Sequence, residues 1–162
     1  MAGKIFILDE WILHDLSGDN GNEKRAEAET FLEKMVAICD RIAILLGGIW
    51  AGKMYQLMRS SDVDTRRSSK LLFGKVILNS LKCDQIQVQE LDLVQVPKGI
   101  LQQVPRSDRY LLKLYYHCKA DVLITTDMRH FGSLNSDNGL PNLNVKERDG
   151  FLPTYGTPID KE

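Results

Sequence analysis

Cysteine is scarce in this sequence. Cys39, Cys83 and Cys118 are far apart and odd in number, and no CxxC or Cys/His spacing occurs. A disulfide framework and a zinc site are therefore not expected, and the pattern fits a reducing cytoplasm. His117 beside Cys118 is no ligand pair, because adjacent residues on a helix point in different directions. Long apolar runs are missing too: none approaches the roughly 20 residues that span a bilayer, so no membrane association is expected. The opening stretch MAGKIFILDEWILHDL has one early Lys and then acids inside its apolar part, which suits a buried strand and helix better than a signal peptide. Charge of one sign is also lacking. The formal net charge is −1, so any basic surface for nucleic acid must be local. There is no internal repeat, no low-complexity segment and no glycine-rich phosphate loop.

What is present is an ordinary globular composition, 43% hydrophobic and 27% charged over 162 residues, enough for one domain with a real core. Residues 1–150 are expected to form that domain. Residues 151–162, with Pro153, Gly156 and Pro158, are expected to be an irregular tail.

The apolar run Ile5 to Leu8 predicts a strand buried on both faces. Ser17 to Asn22 is a turn-rich loop. From Glu23 to Cys39, Phe31, Leu32, Met35, Val36 and Ile38 recur at helical spacing. Ile42 to Leu46 predicts a second strand, broken by Gly47-Gly48, and Ile49 to Met58 a helix. A further helix is expected over Arg66 to Leu81, a short strand near Ile86 to Val88, and a connection from Pro97 to Pro105. Ser107 is placed to cap a helix from Asp108 to Lys119. Val122 to Thr125 predicts a third clear strand, 131–142 a loop and Leu143 to Val145 a last strand. Strands alternating with helices imply a three-layer α/β/α sandwich with a mostly parallel central sheet, whose ligands bind beyond the carboxyl ends of the strands.

Two acids stand at such ends: Asp9 after KIFIL and Asp127 after VLITT. Asp108 opens the helix that leads into the latter strand. Each has an ordinary structural role on its own, as a cap, a turn residue or a helix-start acid. Together they could converge, and crowded carboxylates are costly unless a cation compensates them. Hard oxygen ligands in a partly hydrated site suit Mg²⁺ or Mn²⁺. Asp121 precedes its strand and belongs at the opposite edge. Asp15, Asp19 and Asp40 are expected to be solvated.

The stretch SDRYLLKLYYHCKADVLITTD, with the opening KIFILDEWILHDL, resembles the PIN-domain ribonucleases, in order, from about residue 4 to residue 147. The resemblance implies a PIN-like fold. It implies that Asp9, Asp108 and Asp127 are metal-binding and catalytic, with Thr126 supporting them through its hydroxyl or backbone. It implies a metal-dependent endoribonuclease acting on single-stranded RNA, a toxin paired with an antitoxin-like protein or an RNA-processing nuclease, and it leaves room for a homodimer. One position departs from the pattern. A Glu is expected on the helix after the second strand, where GGIWAGKMYQLM has no acid and Gly52 stands about at its place. Glu10, Asp62 and Asp64 are the substitutes within reach.

An RNA backbone needs cationic contacts. Lys53, Arg59, Arg66, Arg67 and Lys70 cluster in mid-chain, and Arg106, Arg109, Arg129 and His130 flank the site acids. Arg129, His130 and Arg109 are the substrate-binding candidates. Trp11, Trp50, Tyr110, Tyr115 and Tyr116 are of a type that stacks bases, but their spacing suits the core. The second reading is a non-catalytic PIN-like domain that binds RNA or a protein, favoured by Gly52. An unrelated phosphoryl-transfer or signalling domain is disfavoured, since no DxD follows the first strand.

Overall fold

The computed structural model describes residues 3–96, 98–134 and 143–156. Among the described residues five strands form one sheet, all parallel, in the order β3-β2-β1-β4-β5: β1 (Ile5–Leu8), β2 (Arg41–Leu45), β3 (Cys83–Ile86), β4 (Val122–Thr125) and β5 (Val145–Glu147). The three strands anticipated from continuous apolar runs lie at the centre, where both faces are covered. The other two sit at the edges, and β3 begins three residues before the expected Ile86 while β5 begins two after the expected Leu143. Edge strands carry a weaker apolar signal, as the exposed Lys146 and Glu147 of β5 illustrate.

Alternate strand residues serve opposite faces. Phe6, Leu8, Ile42, Ile44, Val122 and Ile124 pack against α1 (Trp11–Ser17), α2 (Asn22–Ala37) and α3 (Ile49–Met58). Ile7, Ala43, Leu45, Leu123 and Val145 pack against α7 (Arg109–His117) and the segments carrying α5 (Val88–Asp92) and α6 (Lys98–Leu101). The result is the three-layer α/β/α sandwich anticipated from the alternation. In α2 the buried residues are Ala28, Phe31, Leu32 and Met35, at the i, i+3, i+4, i+7 spacing of one helical face. Trp11, Trp50 and Tyr115 are buried in the core rather than available for stacking.

Several local expectations are corrected. The helix expected over 66–81 starts earlier, as α4 (Val63–Lys70), and widens to a π-helix over Leu71–Ile77. The Leu78 amide reaches back five residues to the Phe73 carbonyl, a spacing that buries Leu72 and Ile77 together. A 3₁₀ turn (Arg106–Asp108) precedes α7, and neither Ser107 nor Asp108 caps that helix through its side chain. Residues 131–134 continue α8 (Met128–Phe131) into a 3₁₀ turn, with Phe131 and Leu134 buried; the remainder of the loop expected there, 135–142, lies outside the described residues. The segment from 151 is ordered by packing: α9 (Arg148–Phe151) runs into a 3₁₀ turn (Leu152–Thr154), and Leu152 and Tyr155 enter the core. Residues 157–162 lie outside the described residues.

Asp15 and Asp40 are not solvated. Asp40 accepts from the Lys4 amide at 2.8 Å and the Tyr155 hydroxyl at 2.7 Å. Asp15 is 1% exposed and accepts from Arg148 Nε at 2.7 Å. The Arg148 guanidinium, equally buried, also donates to Glu27 and Asp149, each at 2.9 Å, and to the Lys24 carbonyl at 3.2 Å, and it lies 5.5 Å from the Trp11 ring centroid. This joins α1, α2 and α9. Gly18, at the left-handed C-terminus of α1, is required by both conformation and space: its φ is 83°, and a Cβ there would meet the Arg25 guanidinium at 2.4 Å.

Removing one partner of a buried pair strands the other's charge. Arg148→Met is therefore expected to cost about 3–5 kcal/mol in equilibrium urea unfolding. Adding Asp15→Asn should recover part of that loss, so the double variant is less destabilised than the sum of the singles. Strict additivity would show that the pair does not bear on stability.

Candidate functional site

In the strand order, chain connections from β1 run to β2 and β3 on one side, while β4 and β5 lie on the other. The switch point of this open parallel sheet is therefore between β1 and β4, and ligands of such sheets bind beyond the strand ends there. Asp9 ends β1, and Thr126 and Asp127 follow β4. A polar cavity of about 380 Å³ opens at this place, lined by Asp9, Glu10, Trp11, His14, Asn20, Asp108 and Thr126.

Asp9 is fixed by the pairing itself. Its amide donates to the Ile124 carbonyl at 3.2 Å, extending the β1–β4 ladder by one step, and Trp11 Nε1 donates to the same carbonyl at 2.8 Å. Its carboxylate accepts from the Thr125 hydroxyl at 2.8 Å and from the Glu10 amide at 2.6 Å. The Thr125 hydroxyl in turn accepts from the Asp127 amide at 3.0 Å. Thr125, fully buried, thus ties the two strand-end acids together, while Thr126 is exposed and lines the cavity. Asp127 caps α8: one carboxylate oxygen accepts from the His130 amide at 3.2 Å and the other lies 2.8 Å from His130 Nδ1. Asp108 sits where the 3₁₀ turn meets α7 and makes no capping bond, so its carboxylate faces the cavity.

The acids sense one another. Burial lifts the Asp9 carboxyl above the ordinary 3.8, against the hydrogen bonds from Glu10 and Thr125, and the charges of Glu10 and Asp127 add to the rise. Asp108 is lifted by burial, then by the charges of Asp9, Glu10 and Asp127, with His130 acting the other way. Burial and the neighbouring Asp9, Glu10 and Asp108 also push up the Tyr110 phenol, which stays a neutral donor. Its hydroxyl is enclosed and has no hydrogen-bond partner among the described residues. Even so, among the described residues no three His, Cys, Asp or Glu side chains close to the spacing at which they would share one metal ion. Asp9, Asp108 and Asp127 share an edge and a field, not a common ligating distance.

The fourth acid is Glu10, whose side chain lines the cavity. Asp62 is engaged as the cap of α4, accepting from the Thr65 amide and hydroxyl, and Asp64 pairs with Arg67. The side chain of α3 that reaches the acids belongs to Lys53, not Gly52: its ammonium lies 2.7 Å from the Glu10 carboxylate, while a Cβ on the exposed Gly52 would meet nothing. Of the substrate-binding candidates, Arg129 is exposed beside Asp127, His130 is bound to Asp127, and Arg109 is half-buried with its Nε on the Val104 carbonyl at 3.1 Å. Arg66 is likewise tied to the Ser60 and Ser61 carbonyls. Thr125, Lys53, His14 and Asn20 were not singled out for the acid site. Only Thr125 had a sequence signal, a hydroxyl on the last residue of a strand that ends beside an acid. Asp121 lies at the opposite edge as expected, accepting from the Ile5 amide at 2.8 Å.

A doubly wound parallel α/β sandwich with an acidic cavity at its switch point is the class that this fold and site define. Scanned against protein-family models and curated proteins, the chain matches none. Among solved structures it is similar to a chain in the crystal structure of VapBC2 from Rickettsia felis bound to a DNA fragment from their promoter. The identity is 13%, the match covers 88% of this chain and 98% of that one, and the TM-score is 0.53. The likeness is one of fold, and the fold is PIN-like.

The raised carboxyls make a sign-definite prediction. The folded protein holds these protons more tightly than the unfolded chain does. The stability that goes with the neutral carboxyls is complete below pH 3.8, the ordinary carboxyl value, and is lost as pH rises through the higher folded values. With chelator present, Asp108→Asn should match the natural protein in acid and melt higher at neutral pH, by about 2–4 °C per kcal/mol relieved. A difference in melting temperature that stays constant across that pH range would refute it.

Proposed function

We propose that this chain is a metal-dependent endoribonuclease that cleaves single-stranded RNA, with Asp9, Asp108 and Asp127 holding Mg²⁺ or Mn²⁺. The observation that carries this reading is that Asp9, at a strand end, and Asp108, at a helix start, line one polar cavity at the switch point beside Asp127, and that burial and the neighbouring carboxylate charges raise both. The donor set is all carboxylate oxygen, with neutral hydroxyls beside it, and suits a hard cation that keeps some water. A divalent ion held there supplies Lewis-acid charge relief on a phosphodiester and activation of water.

The chain's own residues have separate tasks. Thr125 holds the Asp9 carboxylate and the Asp127 backbone in fixed relation. Asp108 presents a carboxylate without a capping bond, and Tyr110 keeps a proton beside it. Arg129, exposed next to Asp127, is the candidate for contact with an RNA phosphate, whereas Arg109 serves the Val104 loop. The protein partner proposed is an antitoxin-like chain, since the similar fold belongs to the VapBC2 complex. The three free cysteines, with Cys83 pushed up to about 12 by burial, suit action in the cytoplasm. No helix among the described residues is long and apolar enough to cross a membrane.

A second reading, a non-catalytic domain that binds RNA or a protein, is favoured by one feature: a Lys occupies the α3 position that reaches the acids.

The deciding measurement is cleavage of a fluorescent single-stranded RNA in millimolar Mg²⁺ or Mn²⁺. The natural protein should cleave, and Asp9→Asn and Asp108→Asn should each lose at least about a hundredfold in rate while keeping their fold by circular dichroism. RNA binding without cleavage at any Mn²⁺ concentration would select the second reading.

A further inference from the structure

Among the described residues, Glu10 is the acid of the cavity with a long-chain cation on it. The Lys53 ammonium lies 2.7 Å from its carboxylate, with the two side chains 37% and 23% exposed. Arg109 is engaged with the Val104 carbonyl, His130 with Asp127, and Arg148 with Asp15, Glu27 and Asp149, while Arg129 is exposed on the far side of Asp127 in the chain. Lys53 is the cation held against Glu10, whose charge helps to raise both Asp9 and Asp108. It also stands beside open space. A second cleft, of about 180 Å³ and lined by Leu13, His14, Lys53 and Gln56, adjoins the acid cavity through His14. A lysine's flexible four-carbon stem gives its ammonium somewhere to go.

Resting on the cation-binding reading of the acids, we infer that Lys53 is the site's resident counter-ion: it neutralises Glu10 and competes with a divalent cation for that carboxylate, and so sets how tightly the site takes metal. The argument is electrostatic. An ammonium and a divalent cation cannot both sit against one carboxylate without repelling, and moving the ammonium away gives up its ion pair. Glu10 adjoins Asp9 in the chain and lines the same cavity as Asp9 and Asp108, so a cation that displaces Lys53 from it enters the field of those two acids.

The test is calorimetric titration with Mn²⁺ alone, on the natural protein, Lys53→Met, Glu10→Gln, the double variant and Asp9→Asn. Lys53→Met should bind Mn²⁺ roughly three- to tenfold more tightly, the scale on which a partly exposed ion pair acts. In the Glu10→Gln background the same substitution should change affinity by less than about twofold. Melting with chelator gives a readout without metal: Lys53→Met should melt lower than the natural protein, and the loss should shrink in the double variant. Equal Mn²⁺ affinity for the natural protein and Lys53→Met, or the same gain in both backgrounds, would overturn the inference. If Asp9→Asn loses Mn²⁺ while Lys53→Met gains nothing, the metal reading stands and this inference alone falls. If Asp9→Asn titrates like the natural protein, the ion binds elsewhere and both fall.

Discussion

Parallel pairing of β1 with β4 is the constraint from which the rest of this molecule follows. It brings residues far apart in the chain side by side, ends the ladder at the Asp9 amide on the Ile124 carbonyl, and opens the sheet's switch point above that bond. The Trp11 indole closes on the same carbonyl, so the first helix is anchored to the fourth strand as well as to the first. The cavity is then an outcome of topology: connections leave to both sides, and polar strand-end residues face the gap between them.

Electrostatics gives that cavity its character. Most of the well-held cationic groups of this chain are structural. Arg148 joins three helices, Arg25 closes the α1 C-terminus onto α4 through the Ser17 carbonyl and Thr65, and Arg109 fixes the loop before α7. Among the described residues the acids at the switch point are met by the Lys53 ammonium on Glu10 and the His130 ring on Asp127. A fold with no overall charge bias thus contains a local negative field, produced by where its cations are engaged rather than by how many it has.

How much of this was legible in the sequence depends on the element. The central strands, and the acids that follow β1 and β4, were readable, because double-sided burial demands unbroken apolar runs whose ends the sequence marks. The long helix α2 was readable from its spacing. The π-helix was not, since its widening answers to packing of Leu72 and Ile77 and leaves no mark in a period-3.6 pattern. Asp15 and Asp40 were misjudged as solvated for a related reason: their partners, Arg148 and Tyr155, are more than a hundred residues away. At the site, the shared sheet edge of the three aspartates was legible, but the contacts of Thr125 and the reach of Lys53 depend on side-chain directions that spacing cannot supply. The gap assigned to Gly52 lies one residue from the side chain that occupies the place.

The separation of Asp15 from Arg148 has a consequence for how the chain is made. Their contact spans 133 residues, and nothing made in between supplies an equivalent guanidinium to that buried carboxylate. A ribosome-bound chain that has already presented the central strands still carries an unmet negative charge inside α1. Closing the core around α1 with its charges paired requires the segment around 148, so a chain stopping short of it would leave that carboxylate without its guanidinium.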